Sequence, residues 1–277
     1  MEGIMFKEML DNVRIKKPLI HNITNYVTVN DVANMVLACG ASPIMADDEN
    51  EVAEITSICT GLNINIGTLN SRTILSMKKA GQKANELSHP VLLDPVGVGA
   101  SQLRTKTAFE LIDNVSFSVI RGNISEIKVL AYRQGSVHGV DANVEDAVNE
   151  ENLDNCIAFV KKFAQQVQAV VAVTGAIDLV SDGTTCYVIR NGTKEMSAIT
   201  GTGCQLSALT TAFICANQDY ILEATAAAVC TMGLAGEIAQ TKMQDHEGNA
   251  TYRNRIIDAV YHMTGDVLAK GAKYEIR

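Results

Sequence analysis

The sequence predicts an α/β protein: a single domain over residues 1–277 with a mostly parallel central sheet, an antiparallel edge and helices on both faces. Three observations predict it. Apolar runs of strand length alternate with amphipathic stretches of helix length through most of the chain. Between Ile177 and Met196 the texture changes to short β runs broken by Asp182-Gly183 and Asn191-Gly192, two type I′ hairpin signals, and an antiparallel meander is expected there. Three helical stretches follow with no strand between them, so the sheet is expected to end before those helices.

In order along the chain, Pro18 to Ile23 reads as a short buried strand. Val32, Met35, Val36 and Cys39 then recur at i, i+3, i+4 and i+7, and Gly40 stops that helix. Leu62 to Ile66 and Val91 to Leu93 are further strands, separated by a helix from about Asn70 to Leu87 that is rich in Lys, Ala and Leu. Phe117 to Ile120 is the next strand. Cys156, Phe159, Val160, Phe163, Ala164 and Val167 form one helical stripe leading into Ala169 to Val173, a β-branched run suited to a buried parallel strand. The closing helices are expected at roughly Gly203 to Ala216, Tyr220 to Gln240 and Thr251 to Leu268. Gln134 to Asn152, polar and acidic, is expected to be a surface excursion rather than a domain boundary.

Hydrophobic residues make up 47% of the chain and charged residues 19%, a balance that supports a large packed core and excludes disorder. A net charge of -8 without clustered Lys or Arg argues against nucleic acid as a partner, but not against nucleotides, which backbone N–H groups, a few local cations and a metal can hold. Seven cysteines with no C-x-x-C pair support neither a disulfide framework nor a structural zinc site, and a reducing compartment follows. No apolar run approaches the roughly 18 residues that a membrane span needs, and the N-terminal Met-Glu-Gly-Ile-Met-Phe-Lys-Glu does not resemble a signal peptide. A cytoplasmic location is expected.

Four segments are able to carry chemistry. Thr200-Gly201-Thr202-Gly203-Cys204 lies between the meander and a helix; its glycines permit a tight turn, and the helix start offers unpaired N–H groups and a positive dipole end to a phosphate. An ordinary loop with Thr202 as N-cap remains open on spacing alone. Cys204 falls in the first turn, where the dipole lowers a thiol pKa, although a buried structural cysteine fits the same position. Asp94-Pro95-Val96-Gly97 places an acid at the end of a buried strand, where open α/β sheets bind ligands and where a carboxylate suits Mg²⁺; Asp94 as a turn former before Pro95 is the alternative. Arg121-Gly122-Asn123-Ile124-Ser125-Glu126 offers a guanidinium for phosphate and a second strand-end acid, with a capping box of Asn123 and Glu126 as the alternative. Val173-Thr174-Gly175 closes another strand with a hydroxyl and a glycine. No zinc-hydrolase histidine pair, nucleophile elbow or G-x-x-x-x-G-K-[ST] loop is present.

Taken jointly, Asp94-Pro95-Val96-Gly97, Asn123 with Glu126, Thr174-Gly175, the meander and Gly201-Thr202-Gly203 resemble the ribokinase-like fold. Together with His21-Asn22-Ile23-Thr24-Asn25-Tyr26-Val27, and over about Lys17 to Ala235, they are similar to the hydroxyethylthiazole kinase family. The resemblance implies transfer of the ATP γ-phosphate to the primary alcohol of 4-methyl-5-(2-hydroxyethyl)thiazole, a step of thiamine salvage. It places the alcohol on Asn25, Val27, Met45 and Gly201, ATP on Arg121, Thr174 and Thr200, and Mg²⁺ on Asp94 and Glu126. From its place in the first helical turn Cys204 is expected to be catalytic, taking the hydroxyl proton, within an anion hole of Gly201, Thr202, Gly203 and Cys204; catalysis by the backbone N–H groups alone, with Cys204 merely fitting the turn, stays open. The resemblance also implies a homotrimer with active sites between subunits. Sugar and vitamin kinases of the wider fold carry Asp where this chain has Cys204, which weakens a sugar-kinase reading. A hydroxymethylpyrimidine kinase, a nicotinamide-nucleotide hydrate dehydratase and a catalytically inert binding protein of the same fold are the competing readings.

Overall fold

The computed structural model of the chain describes residues 2–133 and 147–277, so the expected excursion at Gln134 to Asn152 lies largely outside the described residues. Six strands run parallel: Leu19–Ile23 (β1), Ser42–Met45 (β2), Gly61–Asn65 (β3), Val91–Asp94 (β4), Val119–Gly122 (β5) and Val170–Val173 (β6). Asp178–Ser181 (β7), Cys186–Ile189 (β8) and Tyr274–Ile276 (β9) complete one edge antiparallel. The spatial order is β2-β1-β3-β4-β5-β6-β7-β8-β9. After β2 the chain crosses back over β1 to lay down β3, so the carboxyl ends of β1 and β3 flank a topological switch point, where such sheets form a ligand crevice.

Both faces of the sheet are covered, which is why β3, β4 and β6 are buried at every position and Val91 to Leu93 and β6 read as continuous apolar runs. Side chains alternate between the two cores: Leu92, Val119 and Val170 point one way, Leu93, Ile120 and Val171 the other. On the first face lie Glu2–Lys16 (α1), Val29–Cys39 (α2), Thr202–Ala216 (α8), Ile221–Thr241 (α9), Asn249–His262 (α10) and Gly265–Gly271 (α11). Val52–Ile58 (α3), Ser71–Glu86 (α4), Gln102–Asn114 (α5), Ile124–Tyr132 (α6) and Leu153–Val167 (α7) cover the other.

Helix α8 fixes the site. From Cys204 to Ala216 every residue is buried, because α8 is enclosed by the sheet, α1, α2 and α9. A helix buried on all sides has no solvent face to rotate into, so its N-terminus is held at the carboxyl edge of the strands. Asn217 secures the other end: its amide donates to Phe213 O at 2.8 Å and to Met9 O of α1 at 3.1 Å.

Several expectations are corrected. The sheet does not end before the helices, since β9 returns from the C-terminus to pair with β8; three residues of polar and apolar mixture carry too weak a periodic signal. Asn191-Gly192 is not a hairpin. Asn191 instead clamps the returning segment, accepting from Lys273 N at 2.7 Å and donating to Gly271 O at 2.9 Å, and the chain passes into a 3₁₀ turn at Lys194–Ala198. Asp182-Gly183 does join β7 to β8, but within a four-residue loop that the Asp182 carboxylate orders by accepting from Thr184 N and Thr185 N, both at 2.8 Å. The last helical stretch is two helices, because Thr264 caps a fresh one through Val267 N. Helix α9, 21 residues long, does meet the length and composition of a membrane span, yet 78% of that window is buried inside the protein, where it serves as a core helix.

The expected helix stop at Gly40 is present: Gly40 adopts φ 97° and follows α2 with hydrogen bonds Gly40 N to Leu37 O and Ala41 N to Val36 O. A Cβ there would stand 2.8 Å from Arg14 Cγ in addition to the left-handed strain. Gly40→Ala should destabilise the protein by about 1–2 kcal/mol, read as a lowered urea midpoint at unchanged m-value.

Candidate active site

The carboxyl ends of the parallel strands and the start of α8 converge. Helix α8 begins from Gly201, whose φ of 88° is left-handed and where a Cβ would collide with the Thr28 side chain. Thr202 is therefore the first helical residue and not the cap; no side chain caps the first turn, which leaves the N–H groups of Thr202, Gly203 and Cys204 open to an anion.

Asp94, at the end of β4, is fully buried. Its Oδ2 accepts from Ser207 Oγ at 2.7 Å and Asn65 Nδ2 at 2.8 Å and lies 3.6 Å from an Arg121 guanidinium nitrogen. Its Oδ1 has no partner. Burial pushes the Asp94 carboxyl above the usual range, against the opposing pull of Arg121, Ser207 and Asn65. An unpaired buried oxygen costs about 1–3 kcal/mol, so Oδ1 is a ready position for a cation.

Glu126 forms the capping box that the sequence left as an alternative, yet it also faces the site. Its two oxygens accept from Asn123 N at 2.9 Å and from Gly97 N, in the turn after β4, at 2.8 Å. Burial and the nearby charge of Asp94 both raise its carboxyl. Two buried carboxyls, one of them raised further by the charge of the other, are short of positive charge. Among the described residues no group of three or more His, Cys, Asp and Glu is placed to bind a metal. The unpartnered Asp94 Oδ1 beside Glu126 fits an ion such as Mg²⁺, which takes one or two carboxylates and fills its shell with water and phosphate.

On the side of the switch point, Asn25 is buried and donates to Cys204 Sγ at 3.2 Å and to Asn65 Oδ1 at 2.9 Å, while its own oxygen accepts from Thr28 N and Oγ1. Asn65 also donates to Cys204 Sγ, at 3.3 Å. The sulfur thus sits in a ring of amides at the head of α8, 8% exposed. The expectation of a lowered thiol pKa is corrected: burial, reinforced by the charge of Asp94, raises it, and the hydrogen bonds from Asn25 and Thr28 and the charge of Arg121 offset this only in part.

On the opposite side, Arg121 hydrogen-bonds Thr174 Oγ1 and lies over Gly203, where a Cβ would come within 2.6 Å of the guanidinium. Both residues line a cavity of about 550 Å³ that includes Gly175, Asp178, Thr202 and Gly203 and runs toward Met196, Leu206 and Met232. Thr200 is exposed and stands apart from this lining. Met45 ends edge strand β2, half-buried opposite Asn22, and Val27 is exposed in the loop that carries Asn25.

His21 has a structural role: its ring nitrogens bond Thr56 Oγ1 and Ala46 O, both at 2.9 Å, tying α3 and the end of β2 to β1. Sequence reasoning missed Asn65 and Ser207. Both left a signal: Asn63 and Asn65 alternate within a buried apolar strand, and Ser207 follows Gly203 by one helical turn. Asp178 was missed as well, hidden within the meander.

The raised thiol has a measurable consequence. Alkylation of Cys204 by iodoacetamide, followed by peptide mass spectrometry, should keep accelerating above the ordinary thiol pKa of about 8.5. A rate that levels off near neutrality would show a stabilised thiolate instead.

The Hydroxyethylthiazole kinase family matches residues 10–266 of the chain. A hydroxyethylthiazole kinase of Clostridium acetobutylicum is 62% identical over 271 residues, covering 98% of this chain and 99% of that protein. Among solved structures, the hydroxyethylthiazole kinase protein of Pyrococcus horikoshii OT3 superposes with a TM-score of 0.87 at 36% identity, covering 98% of both chains. A ribokinase-like superfamily protein of Enterococcus faecalis V583, at TM-score 0.63 and 12% identity over 95% of each chain, shares the fold alone. The chain belongs to the hydroxyethylthiazole kinase family.

Proposed function

We propose that this protein transfers the γ-phosphoryl group of ATP to the primary alcohol of 4-methyl-5-(2-hydroxyethyl)thiazole, in thiamine salvage. One observation carries the reading beyond family membership: two different sides of the molecule reach the same first turn of α8. Asn25, from the switch point, bonds Cys204; Arg121, from the large cavity, lies over Gly203. An alcohol on the first side and a triphosphate on the second would meet at the open N–H groups between them.

In this reading the cavity holds ATP, with Arg121 and Thr174 on its phosphates and Thr200 at the approach. Asn25, Val27, Met45 and Gly201 bound the alcohol site. Asp94 and Glu126 would hold Mg²⁺, which neutralises phosphate charge when bound. The first-turn N–H groups of α8 take up the charge of the transferring group, and Gly201 permits the turn that exposes them. In its thiolate form, the minor form near neutral pH because burial raises the thiol, Cys204 Sγ accepts the proton of the attacking hydroxyl late in the transfer, with Asn25 and Asn65 donating to the sulfur. One kinase domain over residues 1–277, a cytoplasmic location and a homotrimer with intersubunit sites belong to the same proposal. The single sheet supports the first, the seven free cysteines the second, and Tyr26 and Val27, 79% and 57% exposed beside Asn25, the third.

Incubation with MgATP and a panel of the thiazole alcohol, hydroxymethylpyrimidine, pyridoxal and ribose tests the assignment. Phosphorylation of the thiazole alcohol is expected, and its absence alongside turnover of another alcohol would overturn the reading. Asp94→Asn and Glu126→Gln should remain folded and lose at least roughly 10²-fold in kcat, with a higher Mg²⁺ requirement for Glu126→Gln. Cys204→Ala should lower kcat by roughly 10²-fold with little change in either KM. Equal kcat and superimposable pH–rate profiles for Cys204→Ser and the parent protein would remove proton acceptance and leave only the anion-binding turn. Met45→Ala should weaken alcohol binding by about 1–3 kcal/mol while sparing the KM for ATP.

A further inference from the structure

The large cavity holds a carboxylate that the phosphate-binding role does not use. Asp178, the first residue of β7, lines it. Its Oδ1 accepts the Gly175 N–H at 2.8 Å, which orders the turn between β6 and β7. Its Oδ2 takes no hydrogen bond from the described residues and is not among the buried unpartnered atoms, so it is open to the cavity. Burial pushes this carboxyl up to about 7, with Gly175 N–H and the Arg121 charge pulling the other way.

A carboxylate beside a triphosphate is repulsive unless it faces a part of the nucleotide that donates hydrogen bonds. The chemistry of the lining says which part. Arg121, Thr174 and the head of α8 form the anion end, and Met196 and Met232 supply the apolar wall suited to a base. Asp178 bonds the N–H of Gly175, which follows Thr174, and feels the Arg121 charge, so it lies next to the anion end, where the sugar joined to the phosphates of a nucleotide would fall.

Resting on the kinase reading above, we propose that Asp178 Oδ2 accepts a hydrogen bond from a ribose hydroxyl of ATP and selects ribonucleotides over deoxyribonucleotides. A ribose hydroxyl donating to Oδ2 favours the ionised form against the burial that raises this carboxyl, and a hydrogen bond to that ionised acceptor is stronger than one between neutral groups; removing its donor leaves the carboxyl unpaired. Asp178 is thus a specificity residue for the nucleotide, with no part in proton transfer.

The test compares ATP, 2′-deoxyATP, 3′-deoxyATP and ITP with the parent protein and with Asp178→Asn. Asparagine keeps an oxygen for the Gly175 N–H but replaces the second acceptor with a donor. The KM for one of the deoxynucleotides should exceed that for ATP by roughly 10-fold or more in the parent protein. In Asp178→Asn that ratio should fall toward unity, chiefly through a higher KM for ATP, with kcat little changed. A purely structural role would raise every KM together and leave the ratio intact, which would overturn the inference. So would a ratio near one in the parent protein, a measurement that needs no variant to fold. A change confined to ITP against ATP would move the contact to the base and also overturn it. Binding of ADP and the two deoxyADPs, followed calorimetrically without any alcohol, reads the same ratios if the thiazole alcohol proves not to be the substrate; absence of nucleotide binding would sink both readings.

Discussion

The enclosure of α8 is the constraint on which the site depends. From Cys204 onward this helix has no exposed face, so sheet, α1, α2 and α9 together fix its position, and Asn217 pins its far end. The consequence is felt at the opposite end. Gly201 turns left-handed against Thr28, no side chain satisfies the first turn, and unpaired N–H groups are presented at the carboxyl edge of the strands. Positioning of this kind is what phosphoryl transfer asks of a protein, since the reaction needs charge placed in advance more than it needs covalent chemistry.

Around that turn the molecule tolerates local electrostatic cost. Asp94 is buried with one oxygen unpaired, and it raises Glu126 as well as being raised by its own burial. For both groups the folded pKa lies above the unfolded one. Their contribution to stability in the ligand-free protein is therefore fully present below the unfolded value and is lost as pH rises through the folded value. A bound cation reverses this balance by favouring the ionised forms, which links occupancy of the site to stability. Arg121 answers the two acids only partly, because it is shared with Thr174 and faces the cavity.

The amide ring of Asn25 and Asn65 joins the two halves of the site. Asn65 reaches Asp94, Cys204 and Asn25 from a single strand position, so the Asp94 carboxyl and the sulfur are coupled through one side chain. Such a network is stable only when nearly every group is paired, and Gly67 N and Thr28 complete it. The switch point between β1 and β3 makes room for it, since the chain leaves these neighbouring strands in opposite directions.

The sequence by itself determined the parallel sheet, because strands buried on both faces must be continuously apolar, as Val91 to Leu93 and Ala169 to Val173 are. It determined the helix stop at Gly40, where only glycine fits cheaply, and it marked Asp94, Arg121, Glu126, Thr174 and the Gly-Thr-Gly turn as strand-end or helix-start chemistry. Those signals are local, written within one turn or one strand. What the tertiary structure decided is everything that depends on distance through space. Tyr274–Ile276 pairs with β8 across an intervening run of helices, and no local pattern encodes that return. Asn65, Ser207 and Asp178 become site residues only once β3, α8 and β7 are placed beside β4 and the cavity. The thiol of Cys204 shows the difference most clearly: its place in a first helical turn argues for a lowered pKa, but burial and the charge of Asp94, brought near by packing, outweigh the turn and raise it.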